Sequence, residues 1–202
     1  MTFTTAGAED TQQARSVFSA LSVISVVQSL WRIIMADTDV QEILSKQYRA
    51  SMAMLKDAIT KCPESLWIAP EYPNKSWHIA YHVLYCTHLY LQNSLEAFTP
   101  WKKHRETYQW LGRLPWPPHN EPKIGEPYSK EEVLEYFEVC RQEIDAKVLG
   151  LDLSAPSGFY WLSFNKLELQ LYNIRHIQHH AGQLIDRLRT VAGIGIGWVV
   201  AV

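Results

Sequence analysis

Apolar positions recur every three or four residues through most of the chain, and no convincing alternating segment interrupts them, so the pattern predicts an all-α protein. Val40, Leu44, Tyr48, Met52, Leu55 and Ile59 form one such stripe and predict a helix over about 40–59, with Asp37 to Asp39 as N-cap candidates. The prolines of "KCPESLWIAPEYPNKS" then break it. A second helix is expected over 77–97, apolar around most of its circumference and therefore central. Within it Ile79, Val83, Cys86 and Tyr90 mark the deeper side, and Tyr81, Gln92 and Glu96 the wetter one. A third is expected over 130–148, opened by Ser129 and Glu132 in capping-box spacing and striped by Val133, Phe137, Cys140, Ile144 and Val148. A fourth runs over 165–192 and stops at Gly193.

Four helices of roughly twenty residues each predict a four-helix bundle. The link over 98–128 is long and rich in proline, yet it holds Trp101, Trp110 and Trp116. Disordered linkers lack such residues, so the link should pack across the bundle as a crossover or pocket wall. The tail "GIGIGWVVAV" is apolar and expected to cover one bundle end. Residues 1–34 stand apart. "SVFSALSVISVVQSLWRIIM" is apolar, but Glu9 and Asp10 precede it without a basic cluster, which opposes a signal peptide. Gln28 and Arg32 interrupt it, which opposes a membrane span. The expectation is an extra N-terminal helical extension over 1–34 and a soluble core domain over 35–202.

Charge excludes one class of partner. The formal net charge is −2 with no long basic run, so binding to a nucleic-acid backbone is not expected. The three cysteines, Cys62, Cys86 and Cys140, are far apart and odd in number, which argues for a reducing, cytoplasmic setting.

The candidate chemistry lies in "NIRHIQHHAGQL", residues 173–184. With His176 placed at zero on a helical wheel, Ile177, Ala181, Leu184 and Leu188 define a core side between about 80° and 160°. His180 falls at about 40°, on the shoulder of that face, and His179 at about 300°, beside Arg175 and Asp186. His176 and His180 thus form an i, i+4 pair able to converge on one ion, while His179 is a surface residue. A third ligand must come from another helix. Of His78, His82 and His88, His82 lies nearest the deeper side, His78 is next and His88 faces the wet side. Asn173, Gln183 and His78 are candidates to orient a ligand or simply to hold the bundle rim. Cys86, one turn after His82, reads more readily as a small buried hydrophobe than as a thiolate ligand.

These residues carry a family resemblance. "AYHVLYCTHLYL" on the second helix and "RHxxHHxGQL" on the last resemble the DinB-like/YfiT-like metal-binding superfamily over about residues 38–200. The resemblance implies a four-helix bundle with a crossover between helices two and three. It implies one divalent transition metal (Zn, Ni or Fe) held by His82, His176 and His180. It also implies a metal-dependent thiol S-transferase, using a low-molecular-weight thiol against a small electrophilic substrate. Metal-dependent hydrolysis is the first alternative. A non-enzymatic, metal-stabilised stress-response or partner-binding module is the second, for which the apolar second helix and the extension allow a homodimer. The extension departs from the family pattern.

Overall fold

The computed structural model describes residues 39–200. The expected extension over 1–34, and its boundary with the core, lie outside the described residues. Among those residues the structure is all-α: five helices pack together, and the sole β-type pairing is an isolated bridge between Pro156 and Asn165. None of their helices is long and apolar enough to cross a membrane.

The described part of α1 covers 39–61. Its stripe of Leu44, Tyr48, Met52, Leu55 and Ile59 is buried, as the three-and-four spacing requires. Tyr48 donates a 2.7 Å hydrogen bond to Gln170 of the last helix, and Arg49 and Lys56 pair with Asp145 and Glu138 of the fourth. The short α2, Glu64–Trp67, buries Trp67, whose indole N–H bonds the Tyr128 carbonyl at 3.0 Å. α3 spans Ser76–Tyr90, α4 Lys130–Lys147 and α5 Lys166–Ala192. α4 has the expected capping box of Ser129 and Glu132, and its stripe from Val133 to Val148 is buried. α5 opens with Asn165 accepting from the Glu168 N–H and closes on Gly193 in the left-handed conformation at φ +68.

Two expectations for α3 are corrected. The helix ends at Tyr90, not Ala97. The ammonium of Lys166, itself 4% exposed, takes hydrogen bonds to the carbonyls of Gln92 and Asn93, so backbone groups that would extend the helix are held by α5 instead. Nor does α3 have a wet face over its length. Tyr81, His88 and Gln92 are all buried. Each polar group finds a distant partner: Tyr81 bonds His104, His88 meets the Tyr136 hydroxyl and Gln92 donates to Glu143. Those partners belong to α4 and to the crossover, which together cover the face that looked solvated.

The crossover is packed where Trp101 stands, whereas Trp110 is half-buried and Trp116 exposed. Trp101 stacks on Tyr136 with centroids 4.7 Å apart, and Tyr108 and Tyr128 are buried beside it. Among the described tail residues only Ile196 is buried, while Trp198 and Val200 are largely exposed.

The turn before α5 gives the fold a sensitive point. Gly158 has φ +86, and a Cβ there would lie 2.0 Å from the Asn93 carbonyl oxygen. Gly158→Ala should lower unfolding stability by at least about 2 kcal/mol, read in a urea or thermal melt.

Candidate metal centre

The i, i+4 spacing of His176 and His180 puts two imidazoles on one edge of α5, and α3 lies directly against that edge. The contact brings His82 to them. His176 Nε2 lies 3.1 Å from His82 Nε2 and 3.1 Å from His180 Nε2. Each pair of rings meets edge to face, with centroids 4.6 to 5.0 Å apart. His180 is buried and the other two are half-buried. Among the described residues this is the group of His, Cys, Asp and Glu side chains that can share an ion, and no carboxylate or thiol joins it.

The outer nitrogens show why these rings are ligands in waiting. His82 Nδ1 sits 2.6 Å from the Gln109 carbonyl oxygen, which can only accept, so Nδ1 carries the proton and Nε2 presents a lone pair. His180 Nδ1 lies 2.8 Å from Gln183 Oε1, with the same consequence. His176 Nε2 therefore faces two lone pairs. Ligand atoms about 2.1 Å from a common ion, and about 95–110° apart, are separated by about 3.1–3.4 Å. The observed spacing fits, and a divalent cation among the three nitrogens would satisfy all of them. His176 Nδ1 is buried with no hydrogen-bond partner, so this ring is the least anchored of the three. The Tyr172 ring stacks in parallel with it, one turn earlier on α5.

Electrostatics reinforces the donor set. Burial pushes His82 down to about 4 and His176 down to about 3, each from an ordinary value of 6.5, and burial also lowers His180. All three rings are neutral at pH 7, the form in which imidazole binds a transition metal.

The remaining sequence candidates divide. Gln183 Oε1 meets His180 Nδ1 at 2.8 Å. His78 is buried, but its Nε2–H donates to the Tyr108 carbonyl at 2.8 Å, so it anchors the crossover one residue before Gln109 and makes no hydrogen bond to the cluster. Asn173 is fully buried and donates to the Thr87 carbonyl at 3.3 Å, joining α5 to α3 and bonding none of the three rings. His179 is exposed, as the helical phasing predicts. Cys86 Sγ rests 3.9 Å from His82 Nε2, and burial pushes the thiol up to about 12, so it stays protonated.

Gln109 is the functional residue that sequence reasoning missed. Its contribution is a main-chain carbonyl, which every residue has, so nothing in its identity could have marked it. Tyr172 was findable, because it precedes His176 by four on the same face. Around the cluster, His176 lines a surface cleft of about 190 Å³ with Tyr172, Arg175 and His179. A larger cavity of about 490 Å³ lies along α3 and shares Cys86 and Gln109 with the surroundings of His82. No family model, curated protein or solved structure matches this chain, so the reading of the site rests on its own geometry.

His176→Ala should reduce bound transition metal at least about tenfold, by mass spectrometry of the purified protein, while His179→Ala keeps a full equivalent. Equal losses from the two would overturn the assignment. Stability should also depend on pH. In the unfolded chain these imidazoles bind protons near pH 6.5, whereas in the fold His82 and His176 stay neutral down to about 4 and about 3. Over that interval the unfolded chain holds more protons, so the metal-free protein should lose thermal stability as pH falls from 6.5 toward 4. His78 and His88, also lowered by burial, add with the same sign.

Proposed function

We propose that this chain is a DinB-like four-helix bundle, built from α1, α3, α4 and α5, whose His82, His176 and His180 hold one divalent transition metal. In this reading it transfers a low-molecular-weight thiol to a small electrophile. The observation that carries the proposal is the convergence of three imidazoles, with His176 Nε2 3.1 Å from both His82 Nε2 and His180 Nε2, and two outer nitrogens already committed to acceptors. Three neutral ligands leave coordination positions open, as in sites that do chemistry rather than hold a fold together. When bound there, the ion supplies Lewis acidity that favours the deprotonated form of a thiol at neutral pH.

The chain's own residues support a nucleophile brought from outside. Burial raises the Cys62 thiol, pushes Cys86 up to about 12 and holds Cys140 well above the usual thiol range, so none of them offers a thiolate at pH 7. In the transfer, the incoming sulfur loses its proton to solvent and forms the new carbon–sulfur bond. A substituted electrophile's leaving group departs with its bonding pair. Hydrolysis would need a base to take a proton from water, and no carboxylate belongs to the cluster. Free cysteines in all three positions fit a reducing, cytoplasmic setting and a small-molecule substrate.

Calorimetric titration of the zinc- or nickel-loaded protein with a panel of small thiols should give binding at millimolar concentration or tighter. The cobalt-loaded protein should develop a sulfur-to-metal charge-transfer band on the same titration. Replacing Cys62, Cys86 and Cys140 by Ala should leave that band in place. Metal-loaded protein that binds no thiol in this range would overturn the transferase reading while leaving the metal assignment intact.

A further inference from the structure

The 490 Å³ cavity along α3 has the size of a small-molecule site. Its walls come from three parts of the chain. α3 supplies Tyr85 and Tyr90, the crossover Trp110 and Trp116, and the link before α5 Tyr160 and Trp161. Three of these rings are conspicuously exposed: Trp116 at 51%, Tyr160 at 91% and Trp161 at 42%. Large aromatic side chains left in water around one opening are what a ligand-binding mouth presents.

Among the described residues, no Lys, Arg, His, Asp or Glu side chain lines this cavity. The phenol of Tyr85 is pushed up to about 12 by burial, so it introduces no charge at neutral pH. A charged ligand would surrender its hydration there and find no counter-ion. Two polar atoms belonging to wall residues nevertheless lack hydrogen-bond partners: Gln109 Oε1, an acceptor, and Trp110 Nε1, a donor. The opposing aromatic faces suit a flat ring.

We propose that this cavity binds an uncharged, planar aromatic molecule. The location ties the occupant to the metal centre. Gln109, which lines the cavity, also meets His82 Nδ1 through its main-chain carbonyl. Cys86 touches both the cavity and the His82 ring. In identifying the occupant as the electrophile, the proposal rests on the transferase reading; binding itself does not require the metal.

Benzamide, benzoate and benzylamine are matched probes: one ring with a neutral, an anionic and a cationic substituent. Binding to the full chain can be followed by tryptophan fluorescence and by the shifts of the indole N–H resonances, in zinc-loaded protein and in His176→Ala. Benzamide should bind both forms, perturbing the Trp110 indole resonance, with benzoate and benzylamine at least about tenfold weaker. Trp116→Ala and Trp161→Ala, both at exposed positions, should each weaken benzamide by about tenfold without changing metal content. Charged probes that bind as well as benzamide, aromatic deletions without effect, or no binding of any probe at tens of millimolar would each overturn the proposal. Benzamide binding alongside a failed thiol titration removes the transferase reading and leaves the cavity assignment standing. The reverse result removes the cavity assignment alone.

Discussion

α3 is enclosed on nearly every side, and most of what is distinctive in the structure follows from that enclosure. A buried polar group must find a partner inside the protein or carry a cost of about 1–3 kcal/mol. α3 contains His78, Tyr81, His82, Thr87 and His88, with Gln92 just beyond its end, and all but one reach across to another element or segment. His78 and His82 draw in the carbonyls of Tyr108 and Gln109, and Tyr81 draws in His104. Three side chains within little more than one helical turn thereby pin the crossover. His88 and Gln92 reach α4. Only Thr87 is satisfied within the helix, by the Val83 carbonyl.

The candidate metal centre is one product of the same demand. His82 cannot turn freely, because its Nδ1–H is held by the crossover, and the constraint aims Nε2 at α5. His180 is held in the same sense by Gln183, from its own helix. The two rings are thus oriented by different means, one by long-range backbone and one by a local side chain. His176 lies between them with its outer nitrogen unpartnered and the Tyr172 ring stacked against it. Two anchored ligands and one less constrained ligand make a site whose direction is set while one ring keeps rotational tolerance.

Lys166 plays the complementary part at the far end of α3. Its ammonium is buried among the carbonyls of Gln92, Asn93 and Ser157 and beside the Phe159 ring, with no carboxylate partner among the described residues. Burial lowers its affinity for the proton, but three acceptors replace its lost hydration. The clamp ends α3, seats the first turn of α5 and holds the link that carries Tyr160 and Trp161. One side chain therefore sets both the length of α3 and the placement of one wall of the aromatic cavity.

What was legible in the sequence was local. The stripes of α1 and α4, the Ser129–Glu132 box and the Gly193 stop all follow from helix geometry and the nearest few residues. The phasing that turned His176 and His180 toward the core and His179 toward water has the same basis. What tertiary structure decided was the partner of each polar group. Tyr81, His88 and Gln92 looked solvated because polarity on a helix face records a need for hydrogen bonds, not their source; here α4 and the crossover supply them. α3 ends early because Lys166, 74 and 73 residues away, takes the carbonyls of Gln92 and Asn93. The acceptor that orients His82 is a backbone oxygen 27 residues distant, set by how the chain returns rather than by which side chain stands at 109. Periodicity is written in the order of residues, but long-range pairing depends on the path of the whole chain.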